Sequence, residues 1–174
     1  MSLEVDRAQA RHLARVRRAR VSLSHFIELA VKDDHATPIQ LAEIHMSWVR
    51  HLNYAWSRDL RCMILAPFGH GKSSSLLVPL CAYLLGQDNN LRIKIITNDD
   101  DSASKRVGAV KRLLESAIYH EVFPAVTSGG AWTGHELYLK RIGHAVDPSV
   151  QARGIFTTGI GGRADVELLD DVVD

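Results

Sequence analysis

Gly69-His70-Gly71-Lys72-Ser73 puts two glycines, a lysine and a hydroxyl into five consecutive residues, a grouping suited to phosphate. The complete phosphate-loop pattern is Gly, four residues, then Gly-Lys-Ser/Thr, and here Ala66 stands at the first position. Glycines let backbone N–H groups wrap an anion, and a helix that follows offers its positive end. In such a loop Lys72 reaches the outer phosphates and the Ser73 hydroxyl ligates Mg²⁺. Pro67, Phe68, Gly69, His70, Gly71 and Ser74 complete the expected cradle around ATP. The plainer alternative is a glycine turn capping a helix, with Lys72 on the surface.

A second grouping lies near the end of the chain. Val166-Glu167-Leu168-Leu169 is largely apolar and runs into Asp170-Asp171. A strand ending in paired acids supplies what a nucleotide site needs beside its phosphate loop. Asp170 is the expected Mg²⁺ carboxylate, and Asp171 the group that polarises attacking water. An apolar run ending in acids is a weak signal alone, but with the phosphate loop upstream the two support each other and predict nucleotide binding.

The elements that must hold these residues can be read in outline. Residues 1–20 carry Arg7, Arg11, Arg15, Arg17, Arg18 and Arg20 against Glu4 and Asp6. Their spacing predicts a basic helix with an apolar stripe through Leu3, Ala10, Leu13, Ala14 and Val21, either a phosphate- or partner-docking arm or a solvated face. Further helices are expected at about 24–31 and 39–52. Residues 60–66 read as the first core strand, apolar throughout as in a strand covered on both faces. A helix over 72–85 should kink at Pro79. A second strand is expected at 91–97, then a long helix capped by Asp101 or Ser102 and reaching about Ile118. The segment 128–130 reads as a loop, 136–141 as an alternating strand, 150–158 as a strand or hairpin, 159–162 as a turn and 166–169 as the last strand. Strands alternating with helices predict an α/β fold with a mainly parallel central sheet flanked by helices and preceded by N-terminal helices.

Composition narrows the remaining classes. The 174 residues carry a formal net charge of +1, so any case for a polyanionic partner must be local. Cys62 and Cys81 lack metal-ligand spacing and read as core residues in a reducing compartment. The apolar run at 76–85 is too short to cross a membrane and no secretion signal is visible, so the expected location is the cytosol.

Taken in order, these motifs resemble the ATPase half of a bacteriophage terminase large subunit. The resemblance rests on Ala66-Pro67-Phe68-Gly69-His70-Gly71-Lys72-Ser73, on Thr97-Asn98 followed by Ser104-Lys105-Arg106-Val107, and on Phe123-Pro124, Trp132 and Asp147-Pro148. It continues through Gly161-Gly162-Arg163-Ala164-Asp165 into Leu168-Leu169-Asp170-Asp171 and spans about residues 38–174. It implies an N-terminal helical arm at 1–37 and a P-loop NTPase domain of the additional-strand class at 38–174. It also implies ATP and Mg²⁺ as cofactors, double-stranded DNA as substrate, a portal protein and a small terminase subunit as partners, and a ring of identical subunits. The family carries a coupling motif and a nuclease domain after the acidic strand; neither is present here, so the chain reads as a fragment or truncated product. Phe68 stands where the family often has an arginine acting in cis. That resemblance makes Arg153, and after it Arg163, the candidate finger acting on a neighbouring subunit. Gln40 or His45 is the candidate adenine reader. A helicase-like motor, a remnant that binds nucleotide without turnover, and a small-molecule kinase are the rival readings.

Overall fold

The computed structural model describes residues 2–33, 35–67, 69–143, 146–157 and 162–172, with side chains from residue 5 onward. The chain divides into two compact units, Met1–Leu76 and Leu77–Asp174.

The first unit is helical. α1 (Ser2–Val21) packs on α2 (Leu23–Ala30), and α2 touches α3 (Glu43–Trp56). Among the described residues α1 buries a narrow stripe, Val16 and Ala19, whereas α2 buries Leu23, Phe26, Ile27 and Ala30. This difference follows from composition, because half of α1 is arginine and alanine while α2 has an apolar residue at nearly every inward position. α3 begins four residues later than the apolar spacing suggests; just beyond its end Asp59 takes a left-handed backbone (φ 54°), and Leu60 N–H reaches back to Ala55 O at 2.9 Å.

The expected strand at 60–66 is absent. Those residues have no regular structure, and Leu60, Met63 and Leu65 are 53, 83 and 86% exposed. Cys62, expected in the core, is exposed with them. An apolar run becomes a strand only where a neighbour takes its backbone hydrogen bonds, and none of the described strands pairs with it.

A six-residue π-helix, Lys72–Leu77, follows and passes directly into α4 (Val78–Gln87). Pro79 therefore occupies the first turn of α4 rather than the middle of one long helix. A missing N–H is tolerated there, so the expected kink is replaced by a change of helix type.

The second unit is α/β, with helices against a five-stranded sheet ordered β2-β3-β4-β1-β5. The strands are β1 (Ile93–Thr97), β2 (Ser128–Trp132), β3 (Glu136–Leu139), β4 (Val150–Gly154) and β5 (Val166–Leu169). β1 lies at the heart of the parallel half, paired in parallel with both β4 and β5. The other half is antiparallel, β2 to β3 and β3 to β4, so the sheet is mixed rather than mainly parallel. Connection length explains this: residues 133–135 and 140–149 are too short to carry a crossover helix. The predicted loop at 128–130 is the start of β2. A Cβ on Gly129 would lie 2.4 Å from the Leu139 carbonyl oxygen, so glycine there allows the close approach of β3.

α5 (Asp100–Leu114) packs across β1 and β4 and against α4, burying Ala103, Val107, Val110 and Leu114. Its cap is Asp99, earlier than expected, with Asp99 Oδ1 accepting Ser102 N–H at 2.8 Å. The single long helix predicted here is two, because Ser116 caps α6 (Ala117–Val122). Buried Tyr119 of α6 donates its hydroxyl to Ala82 O at 2.9 Å, and burial pushes both this phenol and the Cys81 thiol up.

Carboxylates tie the sheet to its loops. Arg92 holds Asp165 bidentately, Nε to Oδ2 at 2.9 Å and Nη2 to Oδ1 at 2.6 Å, and so lowers the Asp165 pKa. Asp100 is lowered by the Thr157 hydroxyl and the Gly154 N–H, and Asp99 by Ser102. A carboxylate with a depressed folded pKa stabilises above its unfolded value, about 3.9 for Asp, and loses that contribution as pH falls through the folded value. Urea midpoints are therefore expected to fall as pH drops below about 4, and more gently in Asp165→Asn than in the parent. Equal slopes in the two proteins would remove Asp165 from the explanation.

Candidate functional site

The phosphate-loop residues lie at the end of the first unit. Gly69 and Gly71 both have left-handed backbones, φ 80° and 70°, on either side of His70. Only glycine adopts such angles cheaply, and alternation of this kind turns successive N–H groups toward one concavity. The first helical turn closes at once, with Ser75 N–H donating to Gly71 O at 2.7 Å. A Cβ on Gly71 would come within 2.8 Å of Ser75 Oγ, which a turn of that hydroxyl could relieve, so it is the backbone angle that calls for glycine there. Lys72 and Ser73 are half-buried; Pro67, His70 and Ser74 are exposed. Phe68 lies outside the described residues.

His45 is tied at both ring nitrogens. Its Nδ1 accepts Ala42 N–H at 3.2 Å, so Nε2 carries the proton and donates to His70 O, also at 3.2 Å. The ring also stands edge-on to Trp48, with centroids 5.0 Å apart. One side chain thus caps the start of α3 and holds the carbonyl between the two loop glycines. With both nitrogens engaged it is a poor base reader. Gln40 is exposed, and among the described residues its amide has no hydrogen-bond partner.

The acidic residues lie in the second unit, at the carboxyl edge shared by β1, β4 and β5. Asp170 follows β5 and is only 6% exposed. Its N–H donates to Ile96 O at 2.9 Å, continuing the ladder beyond the strand. Its Oδ2 accepts Arg106 Nε of α5 at 2.8 Å. Asp171 is exposed and takes a left-handed backbone, φ 48°, which aspartate tolerates better than most side chains. That turn separates the two acids, one held inside the unit and the other in solvent.

The two arginines proposed as fingers differ. Arg153 lies within β4, Nη2 3.8 Å from Glu136 Oε1, with its Nε buried and unpaired among the described residues. The same Glu136 is bonded by Gln151 Nε2 at 2.9 Å and by the Tyr138 hydroxyl at 3.0 Å. Arg163 is exposed and has no ion pair or hydrogen bond among the described residues. No family model, curated protein or solved structure matches the chain.

Arg106 is the functional candidate that residue spacing did not single out. Its signal was present but ambiguous. It stands three residues after Ala103 and four before Val110, so an arginine borders the buried stripe of α5. Such a placement predicts a partner for the charge without saying which acid, 64 residues away, will provide it. Among the described residues no cluster of three or more His, Cys, Asp or Glu side chains is poised for a metal. Ser73, in the first unit, and Asp170, in the second, each carry an oxygen donor of the kind Mg²⁺ takes.

Proposed function

We propose that the chain is a Mg²⁺-dependent P-loop ATPase of the additional-strand class, the motor part of a terminase-type DNA-packaging enzyme. The observation that carries the proposal is the pair of left-handed glycines, Gly69 and Gly71, immediately before a helix beginning Lys72-Ser73. In this reading the loop N–H groups and Lys72 hold the ATP phosphates, Ser73 and Asp170 hold Mg²⁺, and Asp171 orients water. Bound Mg²⁺ neutralises phosphate charge; the chain's own part is positioning and electrostatic stabilisation. Arg163, exposed and unpaired among the described residues, suits a finger reaching a neighbouring subunit better than Arg153, which Glu136 engages. Double-stranded DNA, a portal protein, a small terminase subunit and a subunit ring belong to the same proposal, as does the host cytoplasm. No described helix is long and apolar enough to cross a membrane.

Asp171→Asn provides the test. Asparagine accepts a left-handed backbone as readily as aspartate, so the substitution changes charge without straining the turn. Mg·ATP affinity should stay within about threefold, while phosphate release falls roughly a hundredfold or more, the usual contribution of a general base. Parallel loss of binding and turnover would move Asp171 to the metal.

A second reading, a nucleotide-binding protein without turnover, is favoured by the exposed, strandless segment 60–66 before the loop. It predicts Mg·ATP binding with no phosphate released, whether or not DNA is added.

A further inference from the structure

We propose that α1 docks on the backbone of duplex nucleic acid through Arg7, Arg11, Arg15 and Arg18. Spacings of four, four and three residues bring these side chains onto one face of the helix. All four are exposed, and among the described residues none has an ion pair or hydrogen bond. The face that α1 buries, Val16 and Ala19, lies elsewhere on the helix, so the arginines do not serve its packing. Of the two acids of α1, Asp6 is off the stripe and Glu4, three residues before Arg7, falls at its end. At 1.5 Å per residue the four span about 16 Å, close to five steps of a duplex strand at about 3.4 Å each.

Energetics separates this surface from an ordinary solvated face. A solvated helix usually alternates charges and gains from neighbouring pairs, whereas like charges at these spacings cost about 0.2–0.5 kcal/mol per pair. A polyanion removes that repulsion, and arginine's planar fork matches phosphate bidentately. Beside the stripe, a shallow groove of about 490 Å³ is lined by Ala10, Leu13, Ala14, Arg17 and Arg18. Ala10 and Ala14 there leave the backbone of α1 open to close approach beside Arg17 and Arg18. A membrane surface fits less well. Interfacial helices set Trp, Phe and Leu opposite their basic face, whereas among the described residues the exposed large apolar side chains of α1 are Val5, Leu13 and Val21. This surface is a means for the proposed motor to hold DNA, yet it rests on α1 alone and stands or falls apart from the ATPase assignment.

The test is fluorescence anisotropy of a labelled mixed-sequence duplex of about 20 base pairs, a length that covers the stripe, titrated with the whole chain from about 50 to 200 mM NaCl. Four phosphate contacts predict that the logarithm of affinity falls with the logarithm of salt at a slope of about −3.6. The quadruple Arg→Gln variant keeps helix propensity and should lose most of both affinity and slope. The quadruple Arg→Lys variant should keep the slope, which separates charge from folding; far-UV circular dichroism checks the helix in both. A parental slope near zero, or unchanged binding by the Gln variant, overturns the proposal. Equal affinity for polyglutamate or for vesicles rich in anionic lipid also overturns it, in favour of an acidic protein or a membrane surface. If Lys72→Ala leaves duplex binding intact while nucleotide is never bound by either protein, only the ATPase reading fails.

Discussion

Arg106→Met is expected to destabilise the second unit by about 3 kcal/mol, the range for removing one partner from a buried ion pair. Asp170 is 6% exposed, and the guanidinium 2.8 Å away offsets its charge. Methionine keeps the length of the stem and the helix propensity of α5, so the change isolates the charge. The arginine side chain is itself 30% exposed, and water reaching the vacated position keeps the expected cost near the lower end of the range. Asp170→Asn should restore much of the loss in the double variant, because a carboxamide needs no countercharge. Urea unfolding of the four proteins gives a coupling energy, expected to be at least about 1.5 kcal/mol. Arg106→Met within about 0.5 kcal/mol of the parent would show the pair to be incidental. Arg106→Lys adds a geometric control. It keeps the charge but lacks the Nε that makes the bond, and should fall between the two.

The Arg106–Asp170 pair illustrates what could and could not be read from the sequence. β5 was legible to the residue, because an apolar run closed by two acids has one sensible end. β1 and β4 were legible in outline from buried runs bounded by turn residues. The segment 60–66 looked at least as strand-like, yet is exposed and irregular. Apolar periodicity reports what a segment can bury and is silent about which neighbour accepts its backbone hydrogen bonds. The cap of α5 failed for a local reason. Asp99, Asp101 and Ser102 are all good caps, and the choice falls to Asp99, whose carbonyl also accepts the Thr97 hydroxyl at 2.6 Å. Within the candidate site, the loop glycines were readable because a positive φ demands glycine. The left-handed turn at Asp171 and the tie from His45 to His70 O were not, since neither leaves a trace in residue spacing.

Lys72→Ala should reduce Mg·ATP turnover by roughly 10²–10³-fold or more, comparable to removing one fixed donor from a developing negative charge. Lys72 is half-buried at the first position of the π-helix, and alanine is the best helix former, so the fold should persist. The loss then reports on phosphate contact and not on unfolding, which circular dichroism can verify. Ser73→Ala divides the site further. If the hydroxyl serves the metal, this variant should keep some affinity for ATP without Mg²⁺ and lose the enhancement that Mg²⁺ brings. Lys72→Ala should weaken ATP with or without the ion. Identical behaviour of the two variants would mean that the loop does not separate phosphate from metal. Unchanged turnover in Lys72→Ala would sink the assignment outright, because Gly69 and Gly71 would then be a helix-capping turn with a lysine beside it. That outcome would also suit the exposed segment 60–66, which a simple capping turn does not require to be a strand. The lysine therefore decides between the two readings of the loop. The backbone geometry at Gly69 and Gly71 is compatible with the proposed phosphate cradle, and in that proposal the charge at Lys72 is what would make it selective for a nucleotide's outer phosphates.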